Sequence, residues 1–395
     1  MKRTLSALVL CLAVSACRHG GGGVSGDAGA AAKFVPSPRP ETQSPEISIN
    51  NLDGEIADGE RRAPKEAFFR NLLPNKLIER ASYLGTTKDY DEADELSRKN
   101  LEESPGDPAV IMTRAHVLST LHEFGAALRE LDDAAAHGAS DDDVKRSRAT
   151  IFLATGKCAE AESLWPVLPV ALDMAARGAM QQRLGRPGVA EELFERARVD
   201  FRDVSPMTFA WMDFERARAF EREGDRVKAR AYLEDALAAF PQYAHAAVHA
   251  ATVEPPEEAI AHLLVVEKRA DDPDVLAAHA DALRREKHDD EARAMTERAR
   301  ARFEEILAKH PQAFEDHAAR FFLGEGGDVK RALALAKSSA ANAPIEETLE
   351  LWLLAARANG DSAEACAALA AAEKTTCPLR GSRANFDLAK KTCKP

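Results

Sequence analysis

One feature constrains the fold of this chain more than any other: a short helical pattern centred on alanine returns about every 34 residues. Aligning residues 88–93 with later parts of the chain places their alanine over eight further alanines, at intervals of 29 to 40 residues. The nine positions are Ala93, Ala127, Ala161, Ala190, Ala229, Ala259, Ala292, Ala332 and Ala365. A period of this length predicts a repeat architecture, in which each unit covers the apolar face of its neighbour.

Alanine is common in this chain, so the residues around the nine alanines decide whether the repeat is real. Five positions earlier, five units have a glycine: Gly156, Gly185, Gly224, Gly327 and Gly360. Four positions later come larger apolar residues: Leu131, Trp165, Phe194, Leu233, Leu263 and Leu369. Seven positions later alanine returns at Ala134, Ala197, Ala236, Ala299 and Ala372. The spacing predicts a glycine turn followed by a helix with these side chains on one face.

This pattern resembles the tetratricopeptide repeat, a helix-turn-helix unit, over about residues 65–378. It departs from that family where the early aromatic residue of the first helix is mostly missing, where Pro166 cuts the second helix of the third unit, and where residues 254–256 read Glu-Pro-Pro. The resemblance implies an all-α solenoid of eight to nine units with an open concave surface. We assign residues 65–395 to this solenoid, with a capping helix predicted over residues 384–391.

The N-terminus has the form of a secretory signal, because two basic residues precede an apolar stretch over residues 5–16 that is too short to span a bilayer. Residues 14–17 read Val-Ser-Ala-Cys and resemble the lipobox of bacterial lipoproteins. The resemblance implies a signal peptide over residues 1–16 and a lipid, such as palmitate, on Cys17. An ordinary signal peptide whose cleavage site happens to end in cysteine is the alternative. Arg18 is not the aspartate linked to inner-membrane retention, which favours the outer membrane, facing the periplasm.

After Cys17, residues up to Pro64 are dominated by glycine, alanine, serine, proline and charged residues. Such a composition buries too little apolar surface to offset the entropy of the chain, so we predict a disordered linker over residues 17–64. An apolar patch at Ile47, Ile49 and Leu52 leaves docking or partner recognition open as a second interpretation.

The mature chain is strongly acidic. Loss of the signal peptide removes two of the 53 basic residues against 65 acidic ones, so the net charge moves from −12 to −14. General binding to nucleic acid or to anionic membranes requires a basic surface, and we therefore predict neither. Contact with the membrane is predicted through the lipid anchor only.

Four cysteines follow the anchor, at Cys158, Cys366, Cys377 and Cys393. An oxidising envelope favours disulfides among the last three. We expect a bond between Cys377 and Cys393 that pins the tail and contributes about 3 kcal/mol; pairing through Cys366 is the competing connectivity, and the sequence does not choose. Cys158 stands beside a turn and is predicted to be a buried free thiol.

No segment carries a recognisable catalytic motif. His245 and His249 lie one helical turn apart but lack the glutamate and third ligand of a zinc site. The aspartates at 141–143 and 271–274 lack the spacing of a calcium loop and are better explained as helix starts. Residues 324–327 lack the lysine of a phosphate loop and are predicted to form a turn. We therefore expect no enzyme activity, no metal and no cofactor.

A ladder of arginines is the candidate binding surface. One stands just before the small residue of the first helix in five units: Arg80, Arg114, Arg148, Arg177 and Arg216. His249 and His279 occupy matching places. Stacking would align these side chains into a row that fits an acidic peptide or a carboxylate-bearing polymer. In the alternative, the arginine stems simply pack between helices.

These features predict a lipid-anchored scaffold that mediates protein–protein interaction in the bacterial cell envelope, with an unidentified envelope protein or peptide as its partner. Tetratricopeptide lipoproteins that it resembles include pilot proteins of pilus secretins, outer-membrane assembly accessories and adaptors for cell-wall enzymes. The alternative is a protein that binds the cell wall (peptidoglycan) or a small ligand on its concave face. An enzyme is least favoured, because an open groove does not provide a closed pocket.

Overall fold

The computed structural model describes residues 34–165 and 171–393, and within those ranges every regular element is a helix. The helices are α1 (Pro45–Arg62), α2 (Ala67–Leu84), α3 (Lys88–Glu103), α4 (Pro108–Thr120), α5 (Phe124–Ala136), α6 (Asp141–Ala154), α7 (Cys158–Leu164), α8 (Ala171–Arg183), α9 (Pro187–Asp200), α10 (Pro206–Glu223), α11 (Arg226–Ala239), α12 (Ala244–Ala250), α13 (Pro256–Val266), α14 (Pro273–Arg285), α15 (Asp289–Lys309), α16 (Pro311–Leu323), α17 (Val329–Asn342), α18 (Glu346–Ala358), α19 (Ser362–Ala372) and α20 (Arg383–Thr392). Helices α2 to α19 form nine consecutive pairs, which confirms the predicted all-α solenoid of tetratricopeptide-like units.

The nine repeat alanines explain how the pairs pack. Each lies in the second helix of its pair, and each is buried. The larger apolar residues four positions later are buried on the same face, as at Leu131, Phe194 and Leu233. A methyl group in place of a larger side chain lets neighbouring helices approach closely, while the larger residue fills the groove beside it.

The residue five positions before the repeat alanine has a left-handed backbone conformation in seven of the nine units. The five glycines of the repeat have φ values from 62° to 77°. His122 and Lys287 occupy the same place in two units that lack the glycine, with φ values of 58° and 64°. A side chain with a Cβ is strained there by about 1–2 kcal/mol, so the fold imposes the turn even where the sequence does not favour it.

Replacing Lys287 by glycine is expected to stabilise the protein by about 0.5–1 kcal/mol, because relief of the left-handed strain exceeds the entropy lost by a freer unfolded chain. Lys287 is exposed, so no packing is lost. Gly360→Ala is the matched opposite change: its φ is 71°, and nothing lies within 4 Å of an added Cβ. It is expected to destabilise by about 1 kcal/mol. Chemical denaturation measures the free energy of unfolding of both variants. If both changes stabilise the protein, or both destabilise it, the turn assignment is contradicted.

The array winds back on itself, so that the turns of the early units touch the late units. These contacts join residues 184 to 220 positions apart. With repeats that average 34 residues, this corresponds to roughly six units per superhelical turn. The hydrogen-bonded pairs are Thr87–Asp271, His122–Gln312, Asn342–His122, Thr376–Gly156 and Arg380–Gly185. Successive superhelical turns therefore lie directly against each other.

The described residues form two disulfides, and one of them joins an early unit to a late one. Cys158 is bonded to Cys377, 219 residues away, and Cys366 of α19 is bonded to Cys393, which follows α20. The prediction of a free Cys158 and the preferred Cys377–Cys393 pair are therefore wrong, and the competing pairing through Cys366 is correct. Cys377 lies one superhelical turn from Cys158, a proximity that local spacing in the sequence does not reveal.

The N-terminal segment continues the superhelix instead of forming a linker. The Phe34 ring packs on Tyr232, with centroids 5.5 Å apart, and Arg39 pairs with Asp235. Helix α1 then buries Ile49, Leu52 and Ile56. The predicted disordered linker is therefore wrong from Phe34 onward, and the apolar patch docks within the chain, apart from Ile47, which is exposed.

Several predicted features lie at the margins of this fold. The signal peptide, Cys17 and residues 18–33 lie outside the described residues. Helix α7 ends at Leu164, two residues before Pro166, as the proline predicts. The predicted tail helix is α20, and Cys393 follows it directly. Among the helices that the structure describes, none combines the length and the apolarity needed to cross a bilayer.

Candidate functional site

The arginine ladder is placed on the first helices as predicted, but its charges are already engaged. Four of its arginines form ion pairs, and in three of them the carboxylate belongs to the second helix of the preceding unit. The pairs are Arg80–Asp89, Arg114–Asp94, Arg148–Asp132 and Arg216–Glu195. Arg177 is half-buried. The geometry therefore supports the alternative interpretation, in which these arginines join neighbouring units instead of forming a row of free guanidinium groups.

Arg216 shows how deeply the ladder is embedded. Its side chain is 2% exposed, pairs with Glu191 and Glu195, and lies 4.4 Å above the Tyr232 ring centroid. The two glutamates raise its pKa against the effect of burial. The histidines at matching places are also paired, His249 with Glu221 at 2.8 Å and His279 with Glu267. Bringing an external acidic chain to this row would require breaking internal pairs.

The other residues considered for chemistry have structural surroundings. His245 stacks on Phe214, and burial lowers its pKa to about 3. Its neighbour His249 packs edge-on against the same ring. Asp272 caps α14 by accepting from the Asp274 amide, while residues 141–143 form the first turn of α6, so the predicted helix starts are confirmed. Among the described residues, no group of histidine, cysteine and acidic side chains could hold a metal ion.

A buried ionic group around His317 joins α16 to α14 of the preceding unit. The imidazole contacts the carboxylate of Asp274 and lies 3.7 Å from Asp316. Burial opposes protonation, but the two aspartates outweigh it and raise the pKa of His317 to about 9. Arg320 donates to Asp316 at 2.8 Å. The two aspartates thus hold the buried imidazole in its charged form.

A cavity of about 350 Å³ lies between the end of α10 and the beginning of α18. Arg218 and Arg222 of α10 line one part of it, and Glu347 and Glu350 of α18 line another. The loop before α20 closes it at Gly381, whose backbone lies so near the Arg222 carbonyl that an added Cβ would collide. This cavity is space that the packed helices and the loop before α20 leave unfilled.

Charged groups in the cavity are close but not directly bonded. The Glu347 carboxylate lies 3.7 Å from the Arg183 guanidinium and 3.8 Å from that of Arg222, beyond hydrogen-bond distance. Burial, reinforced by the charge of Arg183, lowers the pKa of Arg222 to about 10. Burial alone would raise the pKa of the Glu347 carboxyl. The guanidinium groups of Arg183, Arg222 and Arg218 outweigh this effect and lower that pKa. Arg222 and Glu347 are therefore both charged at neutral pH.

A second cleft of about 340 Å³ lies beside this cavity and is lined in part by the same two residues, Arg226 and Val253. Phe34 and Val227 supply apolar surface, and Arg230 and Glu234 supply charge. Val227 is 57% exposed. The site therefore has a polar inner part and a more apolar outer part.

Sequence reasoning did not find this site. Arg222 and Glu347 are 125 residues apart in the sequence, and neither belongs to a recognisable motif. The signal that could have helped is the position of both residues within the repeat, one near the end of a first helix and the other near the beginning of another. Using that signal would have required the superhelical period, which the intervals between repeats do not supply.

No family model matches the chain, and no curated protein matches it. Among solved structures, Cut9 in the APC/C hetero-tetramer Cut9–Hcn1 is 14% identical, with a TM-score of 0.42, over 83% of this chain and 63% of Cut9. Human IFIT1, in a dimer with PPP-AAAA, is 15% identical, with a TM-score of 0.39, over 82% of this chain and 94% of IFIT1. PilW, a type IV pilus biogenesis factor, is 17% identical, with a TM-score of 0.29, over 62% of this chain and 94% of PilW. These TM-scores are low, so the fold assignment rests on the nine helix pairs described above.

Proposed function

We propose that this protein is a lipid-anchored binding scaffold of the bacterial cell envelope, held to the outer membrane through Cys17 and facing the periplasm. The N-terminal signal and the lipobox-like residues 14–17 are the basis for the anchor. The observation that carries the compartment is the pairing of all four described cysteines in disulfides, a state that oxidising compartments maintain.

The wound array supports a scaffold function in a particular form. Because early and late units pack on each other, the protein offers a preformed body, and a partner meets its outer surface without reorganising it. The cleft at Phe34 and Val227 combines apolar and charged side chains, as protein-binding surfaces do. We therefore place the partner contact at this cleft and its rim.

Proximity crosslinking in native envelopes tests the scaffold. The protein carrying a photo-crosslinker at Val227 is expected to capture one defined envelope protein, and a Cys17→Ser variant is expected to lose it. The matched control places the same group at Val189, an exposed valine in α9 outside the cleft. Equal capture at both positions, or capture of abundant proteins alone, would contradict a specific scaffold.

Binding of a small ligand is the second candidate function, and the cavity beside Arg222 is the observation that favours it. The notion of peptidoglycan binding along Arg114 and Arg148 receives less support, since both arginines are ion-paired within the chain. Sedimentation with purified cell wall, compared between the natural protein and charge-reversed variants at Arg114 and Arg148, tests the peptidoglycan interpretation. Loss of sedimentation in the variants would support binding along these two arginines, and unchanged sedimentation would count against it.

A further inference from the structure

The segment before α1, residues 34–44, is a proline-rich strap on the surface of the protein. Prolines occupy positions 36, 38 and 40, and no part of the strap is helical. A proline holds its own φ at about −65°, and the residue before a proline is restricted to β or polyproline II conformation. The regular conformation that satisfies both restrictions is a polyproline II helix. Ser44, at the end of the strap, has φ −67° and ψ 149°, close to polyproline II values.

The exposure of the strap repeats every three residues, which is the period of a polyproline II helix. One edge is half-buried and consists of Pro36, Arg39 and Thr42, whereas the next is exposed and consists of Val35, Pro38 and Glu41. On the third edge Ser37 and Pro40 are exposed, and only its ends, Phe34 and Gln43, are half-buried. The strap therefore lies with one edge against the protein and presents the rings of Pro38 and Pro40 outward.

Three contacts hold the strap in place. They are the Phe34 ring on Tyr232 with centroids 5.5 Å apart, the Arg39 guanidinium on the Asp235 carbonyl at 3.0 Å and the Gln43 amide on the Val204 carbonyl at 2.8 Å. None of these contacts uses Pro38 or Pro40. Because the strap is already ordered, a partner that binds it loses little further conformational entropy.

The chemistry of the strap limits the kind of partner. A proline has no backbone N–H, so the alternating prolines cannot donate to a β-ladder, and a partner strand cannot pair along this segment. Polyproline II segments are instead bound in grooves lined by aromatic side chains. Val35, which is 72% exposed, adds apolar surface beside the prolines. At its first residue, Phe34, the strap joins the cleft that Val227 also lines.

We propose that the strap is the recognition element for an envelope protein whose groove is lined by tyrosine or tryptophan, with Pro38 and Pro40 packed on the aromatic rings. The proposal rests on the scaffold function and specifies the chemistry of its partner. Such a partner covers the two exposed edges of the strap and extends into the adjoining cleft at Val227.

Crosslinking from the strap tests this proposal in the full lipid-anchored protein in native envelopes. A photo-crosslinker at Ser37 is expected to link to one defined protein, at a segment that contains tyrosine or tryptophan. The double variant Pro38→Ala, Pro40→Ala is expected to reduce this capture at least about tenfold, because it removes the packed rings and loosens the preformed helix. Pro187→Ala, at an exposed proline that begins α9, is the matched control and is expected to leave capture unchanged.

The outcomes separate the strap from the scaffold. Capture that survives the double variant, or a link to lipid or to a protein segment without aromatic side chains, would overturn the proposal. Capture from Val227 but not from Ser37 would remove the strap and leave the scaffold, while capture from neither position would remove both. Circular dichroism checks that the double variant keeps its helices; Pro40→Ala alone is the second variant if it does not, and is expected to weaken capture in the same direction.

Discussion

Removing the disulfide between Cys158 and Cys377 is expected to lower the free energy of unfolding by about 5 kcal/mol. The bond closes a loop of 219 residues, and constraint of the unfolded chain grows with the logarithm of loop length. Its loss also weakens the contact between early and late units. The Thr376–Gly156 hydrogen bond joins the same two segments and is then no longer supported by the covalent bond beside it. The double variant Cys158→Ala, Cys377→Ala avoids leaving a thiol free to exchange.

The second disulfide provides the matched control. The Cys366–Cys393 bond closes a loop of 27 residues, and its removal is expected to cost about 3.5 kcal/mol. Denaturation by guanidinium measures both effects. Hydrogen exchange shows where each variant loosens. Amides near Thr87 and His122 are expected to exchange faster in the variant without Cys158–Cys377, and unchanged in the variant without Cys366–Cys393. Equal exchange in the two variants would mean that Cys158–Cys377 does not hold the superhelical turns together.

Replacing His317 by glutamine is expected to destabilise the protein by about 3–5 kcal/mol at pH 6. The charged imidazole balances Asp274 and Asp316, and without it two buried carboxylates face each other with less compensation. His137→Gln, at an exposed position after α5, is the control and is expected to have little effect.

The same residue predicts a pH dependence of stability. The pKa of His317 is about 9 in the folded protein and about 6.5 in an unfolded chain. A raised pKa stabilises the fold fully below pH 6.5, and this contribution, about 3 kcal/mol, is lost as the pH rises through 9. Burial and Asp274 raise the pKa of Asp272 to about 7, so its contribution is lost earlier, between pH 3.8 and 7. The difference between the natural protein and His317→Gln should therefore shrink between pH 6.5 and 9; a constant difference would contradict the assignment.

Local features of the fold were predictable because they depend on neighbours in sequence. The repeat alanines, the glycine turns, the stop before Pro166 and the cap at Asp272 each follow from spacing or from the chemistry of one residue. Helix α1 was predictable in principle as well: Ser44 precedes Pro45 at its start, and Ile49, Leu52 and Ile56 have helical spacing. The abundance of proline and glycine around this segment obscured that signal.

Contacts across superhelical turns were not predictable, because they depend on a small rotation between successive units that accumulates over roughly six of them. The Cys158–Cys377 bond and the cavity at Glu347 both belong to this class. A single repeat gives no sign of whether the next superhelical turn will touch it.

Disulfide mapping of the native protein tests the wound superhelix most directly. Digestion without reduction, followed by mass spectrometry, should identify one peptide pair containing Cys158 and Cys377 and a second containing Cys366 and Cys393. Thiol alkylation before digestion keeps the bonds from exchanging. A free, alkylated Cys158 together with a Cys377–Cys393 pair would contradict the packing of early units on late ones.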